Sequence, residues 1–266
     1  MSSVIQLIKL IHRYRYTIWI MALKEIRAKY VGSTLGIGWN IIHPIISIFV
    51  FWIVFSLGFK VPPPNNIPFL SWFFCAFVVW LVFNDSLLSA SNSIIRNRNL
   101  IKKLVFPAHI LPLISIFSSL INSIILIMLL IIVLLIEGVP LSLYSLQFIY
   151  YIFSCAILCL GLGWFFAAAS ILLKDIGQFL TIILQILFWA TPIFYNLEMF
   201  PANVRIFWKL NPIYYLTEGF RDSFLFNQPF WNNPSLTLYF WSITIGTFIL
   251  GGIFFKKFKA DLVDNL

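Results

Sequence analysis

Residues 24–44 read KEIRAKYVGSTLGIGWNIIHP, and the reading of this junction decides the fold. Lys24, Arg27 and Lys29 precede three glycines, Gly32, Gly36 and Gly38; from Trp39 and Pro44 onward the chain turns almost wholly apolar. Upstream, Gln6, Lys9, Arg13, Thr17, Lys24 and Arg27 recur at steps of three, four or seven. Leu7, Ile8, Ile11, Ile18, Ala22 and Ile26 fall mostly on the other side. That pattern predicts a helix lying in a membrane interface, apolar face in the acyl boundary and basic face toward anionic headgroups. Tyr14, Tyr16 and Trp19 suit that depth. The glycines then let the backbone turn from the membrane plane into a first span. A solvated basic tail fits poorly, because it would expose too many apolar side chains.

The bulk composition points the same way. Hydrophobic residues make up 61% of the 266 and charged ones 10%, and the mean hydropathy is +0.96. Long apolar runs of this kind are membrane spans. Residues 1–30 lack the short apolar core and small-residue cleavage site of a signal peptide, so the chain is expected to be retained whole. Cys75, Cys155 and Cys159 all fall in apolar runs and read as packing residues rather than a disulfide framework or metal ligands.

Crossing a hydrocarbon core of ~30 Å takes roughly 20 helical residues. Six segments qualify, at about 39–59, 68–90, 108–136, 146–172, 177–195 and 235–255. The expected fold is therefore an all-α polytopic membrane protein, a single transmembrane domain over 1–266. With the N-terminus inside, the cytoplasmic segments carry fourteen of the eighteen Lys and Arg residues; the outer ones keep Lys60, Arg205, Lys209 and Arg221. By the positive-inside rule both termini face the cytoplasm. The net charge of +9 is then a topology signal and not a nucleic-acid footprint.

No chemical signature survives inspection. A GxxxxGK[ST] loop for nucleotide phosphates is absent, and His12, His43 and His109 have no neighbouring carboxylate or Cys in sequence with which to build a triad or a metal site. No catalytic or metal residue is assigned. Asp85 is the one acid well within a span and is a functional suspect by default. Asn84 and Ser86 beside it also allow a purely structural role. The 29 Phe, 10 Tyr and 10 Trp can line a passage for sugar rings, but packing and interfacial anchoring explain most of them.

Two loops stand out. SNSIIRNRNLIKKLVFP (91–107) has Ser91 or Ser93 to cap a helix and Pro107 to stop it. Asn92, Arg96, Asn99 and Lys103 share one face, with Ile95 and Leu104 toward the other. This predicts a short cytoplasmic amphipathic helix for docking, against the plainer reading of a basic loop that only sets topology. The outer stretch 190–234 is too aromatic for a solvated loop. Pro201 and Pro212 can each open a helix and Asn211 can cap the second, giving short helices over 201–210 and 212–226, with Pro192 ending or kinking the fifth span. These helices read either as a lid that dips in at the outer mouth or as a pair lying on the outer leaflet.

Three stretches in order carry a resemblance: RAKYVGSTLGIGWNIIHP (27–44), KDIGQFLTIILQILFWATPIFY (174–195) and LNPIYYLTEGFRD (210–222). Together they resemble the membrane subunits of type-2 ABC exporters of bacterial polysaccharide, the family exporting O-antigen, capsule and teichoic acid. The resemblance implies six transmembrane helices, an interfacial helix over 1–34, a coupling loop over 91–107 and outer gate helices over 196–234. It implies a homodimer in the cytoplasmic (inner) membrane, with two copies of an ABC ATPase subunit beneath. No cofactor is expected on this chain; ATP and Mg would sit on the partner. The substrate would be a lipid-linked polysaccharide arriving from the cytoplasmic leaflet among membrane lipids, with no nucleic acid involved. On this reading Asn92, Ile95, Arg96, Asn99 and Lys103 dock the ATPase, and Pro192, Pro212, Tyr214, Tyr215, Glu218 and Arg221 form the outer gate. Arg27, Tyr30, Trp39, His43, Phe188 and Trp189 are candidates for the entrance and path. The alternatives are a small-molecule or drug exporter of the same superfamily and a polytopic membrane glycan-processing enzyme. The enzyme would have to work with the thin set Glu198, Glu218, Arg221 and Asp222.

Overall fold

A computed structural model describes residues 2–61, 67–103, 106–173 and 175–258, apart from the side chains of 2–8, 102 and 103. Helix α1 (Ser2–Ala28) is followed by a turn in which Gly32 and Gly36 take φ values of 85° and 52°. Side chains rarely adopt that left-handed region, which is why the redirection falls on glycine. The chain then enters α2 (Trp39–Trp52), which runs through Pro44 and is prolonged by a π turn, Ile53–Gly58. Next come α3 (Phe69–Ser91), the short α4 (Ser93–Arg96) and α5 (Arg98–Lys103), α6 (Leu111–Ile136) and α7 (Phe148–Leu172). The chain continues through α8 (Ile176–Ala190), α9 (Ala202–Lys209), α10 (Pro212–Arg221) and α11 (Pro234–Phe258).

The fold is all-α and polytopic. Among the described residues five helical segments are long and apolar enough to cross a bilayer: Gly36–Gly58, Phe69–Ser91, Ala108–Ile136, Leu143–Leu172 and Pro234–Phe258. The fifth expected span, 177–195, is instead the 15-residue apolar helix α8. Its rise of about 22 Å falls short of a full crossing. It stops at Ala190 because Thr191 is extended ahead of Pro192, as the proline ring requires of its predecessor.

Helix α3 is the hub. Its apolar residues face every direction, and Phe73, Phe74, Cys75, Ala76 and Val78 are buried at 0–1% exposure. Helices α2, α6, α7, α8 and α10 all pack on it. At its outer end Glu137, at the C-terminus of α6, accepts from the Ser71 backbone N–H at 2.9 Å and from the Ser71 hydroxyl. A carboxylate at a helix N-terminus satisfies an orphan donor and complements the dipole.

Helix α1 reads as expected on its polar side, with Arg13, Arg15, Lys24 and Arg27 exposed. Its apolar side divides: Ile18, Ala22 and Ile26 are buried, with α6 as the packing partner, while Tyr16, Trp19 and Ile20 stay exposed. By contrast, α2 and α8 expose Ile41, Ile45, Ile46, Phe49, Ile182 and Ile186.

Helices α7 and α11 approach so closely that a Cβ on Gly251 would lie 2.0 Å from the Gly161 carbonyl oxygen. A Cβ on Gly161 would meet the Phe248 backbone at 2.6 Å. Small residues at such crossings let helix backbones pack directly in a membrane. Gly246, on the same helix, faces open space. Gly161→Ala should therefore lower the thermal midpoint in detergent by an amount corresponding to about 1–3 kcal/mol, the usual cost of overpacking. Gly246→Ala should stay within about 0.5 kcal/mol of the parent.

Candidate functional site

At the inner end, charges from distant stretches converge. Lys29 reaches both carboxylate oxygens of Asp85, at 2.8 and 3.0 Å, and Ser89 adds a longer bond at 3.4 Å. Asp85 is thus held by Lys29 and Ser89, not by the adjacent Asn84 and Ser86; the Ser86 hydroxyl is buried without a hydrogen-bond partner. A second pair joins Arg96 to Glu25 at 2.7 Å; Glu25 also accepts from Ser115 at 2.8 Å, and Arg96 donates to the Ser89 carbonyl. Both pairs are partly solvated, so each contributes only about 1 kcal/mol or less. Their effect is positional: they fasten α1 to α3 and to the 92–103 loop.

That loop departs from the single helix expected over 91–107. It breaks at Asn97, whose φ of −105° and ψ of 23° leave the helical region. Neither serine caps a helix: Ser91 and Ser93 donate back to the Leu88 and Ala90 carbonyls, a local bond that competes with capping. Ser93 and Ile94 are buried, whereas Ile95, Arg96, Arg98 and Asn99 are exposed. Ile95 therefore sits on the exposed side with Arg96, and not opposite it. Asn92 is half-buried and donates to the Leu88 carbonyl. Lys103 falls at the end of α5 with its side chain outside the described set, and Leu104 lies outside it altogether.

Of the entrance candidates, Arg27, Trp39 and His43 are exposed. Tyr30 donates to Asn40, and Asn40 in turn to Asn122 on α6 at 3.1 Å, while the Trp39 indole donates to Ser33. A polar thread thus runs from the glycine turn into the bilayer. Trp189 is exposed, but Phe188 is committed to an internal cluster with Phe51, Phe77, Trp80 and Phe194.

The outer segment is organised around Arg221. It is 1% exposed, donates to Glu218 at 2.6 Å, to the Ile193 carbonyl at 3.0 Å and to the Trp72 carbonyl at 3.3 Å. Its guanidinium carbon lies 3.7 Å from the Trp72 ring centroid. One side chain of α10 therefore holds α3 and the turn after α8 together. The expected helix starts hold: Asn211 caps α10 by accepting from the Ile213 N–H, and Pro201 precedes α9. Asn211 also donates to Thr191 beside Pro192. Of the two tyrosines expected at the gate, Tyr215 is buried, bonded to Tyr150 and Thr237 and stacked on Phe240. Tyr214 keeps partial exposure. Outside the spanning helices, burial and the neighbouring Glu218 push the Asp222 carboxyl up to about 6, against the pull of Arg221. Among the described residues no group of three or more His, Cys, Asp and Glu side chains is placed to hold a metal.

The described residues thus form a polytopic helical fold with a basic N-terminal helix packed on α6, a loop fastened to it through Arg96 and Glu25, and a segment held to α3 by Arg221. Comparison makes the class specific. Residues 16–225 match the family model of the ABC-2 type transporter, so this chain belongs to that family. It is therefore a membrane, or permease, subunit of an ABC transporter. It is similar to an O-antigen export system permease protein RfbA of Klebsiella pneumoniae, 25% identical over 93% of each chain. A second such Klebsiella protein is 26% identical over 77% of this chain and 79% of its own. An RfbA of Myxococcus xanthus is 24% identical over 83% of this chain and 84% of its own.

Sequence reasoning reached Glu218 and Arg221 but missed Trp72 and the Ile193 carbonyl, which no spacing rule connects to them. It also missed Glu25; a lone acid inside a basic helix was the available signal. Arg221 is buried while Glu218 is 32% exposed, so what its removal loses is the guanidinium's hydrogen bonds and its packing on Trp72; a hydrogen bond to a charged group contributes about 1.5–3 kcal/mol. Arg221→Ala should therefore sharply reduce thermal stability in detergent and the amount of folded chain in membranes. Arg221→Lys should recover little of it, since a single ammonium cannot reproduce the planar fork that meets three acceptors.

Proposed function

We propose that this chain forms, as a homodimer, the path by which an ATP-driven ABC transporter exports a lipid-linked polysaccharide across the inner membrane. The observation that carries this reading is the similarity to an O-antigen export permease over 93% of both chains, from interfacial helix through outer segment. Two copies of an ABC ATPase would bind the cytoplasmic face and hold the ATP and Mg. Both termini would be cytoplasmic, in keeping with the basic residues of α1 and the inner loop.

The parts take roles that their chemistry suits. The exposed face of Ile95, Arg96, Arg98 and Asn99 offers an apolar contact flanked by cations, the composition of a docking surface with a polar rim. Because Arg96 grips Glu25, a push on this face is passed to α1 at the entrance. The exposed apolar faces of α2 and α8 supply surface for the second copy or for lipid, and a two-fold pair is the commonest closed assembly. The outer segment, tied down by Arg221, acts as the exit gate.

Deleting the chain from its own cell should leave lipid-linked polysaccharide inside and none at the surface, and complementation should restore it. Arg98→Glu, which touches neither ion pair, should lower recovery of the ATPase with the tagged chain about tenfold while the chain stays inserted. Surface polysaccharide unchanged by the deletion would refute the assignment. Undiminished ATPase recovery would remove the loop from docking.

A further inference from the structure

Between the outer ends of α3 and α10 and the turn at 196–198 lies a cleft of about 200 Å³, the size of one sugar ring rather than of a helix or a lipid. Trp72, Asn196, Glu198, Tyr214, Glu218 and Phe226 line it, with Arg221 in its wall. Resting on the export reading above, we propose that this cleft is a sugar-binding subsite at the outer mouth, selective for uncharged, hydroxyl-rich repeats over phosphate-bearing ones.

The donor and acceptor set supports hydroxyl recognition. Glu218 gives one carboxylate oxygen to Arg221, and its other oxygen has no hydrogen-bond partner among the described residues. Among the described residues the Glu198 carboxylate accepts only a 3.3 Å bond, from the Asn196 amide. The Tyr214 hydroxyl has no hydrogen-bond partner among the described residues, and Tyr214 remains partly exposed at the cleft wall. A sugar hydroxyl both donates and accepts, so it can donate to the carboxylates and accept from the phenol in one position. Phe226 and the Trp72 edge supply apolar wall, the usual companion of a few placed polar groups in a small-molecule site.

The electrostatics exclude a polyanion. Among the described residues Arg221 is the one cation in the lining, and it is 1% exposed, capped by the Trp72 ring and engaged with Glu218 and two backbone carbonyls. It presents no free fork to a phosphate. Arg205 is likewise turned onto the Phe200 and Glu198 carbonyls. What faces the cleft is carboxylate: Glu198 and Glu218, with Asp222 lining the smaller cleft on the far side of Glu218. Phosphate recognition uses arginine forks or helix N-termini, and like charges in a partly dry site repel.

The test is photo-crosslinking in the cell that makes the native polymer, so that the sugar need not be guessed. Benzoylphenylalanine is placed at Asn196, with Phe226 as a second position in case the first fails to insert and Trp189 as a path control. The expected result is a sugar-bearing adduct at 196 or 226, with no more phosphate than a single chain terminus carries. An adduct with phosphate in every repeat would overturn the selectivity. Adducts at 189 alone would overturn the subsite and leave export standing. No adduct at any position, in cells still displaying polymer, would overturn the subsite and the export reading together.

Discussion

A guanidinium held out of water at the top of α3 sets the terms for the outer half of this protein. A charge at 1% exposure persists only where its hydrogen bonds are supplied by the protein, because water cannot reach it. For Arg221 those acceptors come from Glu218 on its own helix, from Trp72 and from Ile193. Meeting them fixes α10 against α3 and fixes where the chain must go after α8. The inner end repeats the arrangement in weaker form, with Asp85 of α3 receiving Lys29 and the loop beyond α3 receiving Glu25 through Arg96. One buried helix thus references α1, the 92–103 loop and α10 to a common frame.

That frame has mechanical consequences. Phe51, Phe55, Phe73, Phe77, Phe188 and Phe194 form a continuous aromatic cluster across α2, α3, α8 and the turn that follows. Dense cores transmit displacement instead of absorbing it. The inner ion pairs, partly solvated, are of the strength that can break and re-form during a transport cycle, whereas the Arg221 site is not. Movement is therefore expected to concentrate at α1 and in the chain around α9, a helix with no buried residue of its own. The outer ends of α3 and α10 move as one body.

Most of the architecture was legible in the sequence because hydropathy and helix punctuation are local. Five of the six expected spans, the glycine turn and the Pro and Asn starts of α9 and α10 needed no knowledge of partners; the segment expected at 177–195 ended early, at Ala190. What was hidden depended on contacts across the fold. Asp85 found Lys29, 56 positions away, instead of its neighbours, because a carboxylate gains more from an ammonium than from adjacent amides and hydroxyls. The inner loop broke at Asn97 because burying Ser93 and Ile94 outweighed one continuous amphipathic face. The aromatic richness looked like a lining, and much of it is packing. The outer cleft was invisible in sequence, since its walls come from three separate stretches.

The central claim, that this chain carries polysaccharide across a membrane when an ATPase drives it, is tested most directly by reconstitution. The chain would be placed with its ATPase in vesicles, with lipid-linked polymer from its own cell on the ATPase side. The account predicts that polymer appears on the opposite face only when ATP and Mg are present, and that its appearance stops when the ATPase's hydrolysis is blocked. ATP hydrolysis with no polymer crossing, or polymer crossing at the same rate without ATP, would contradict it.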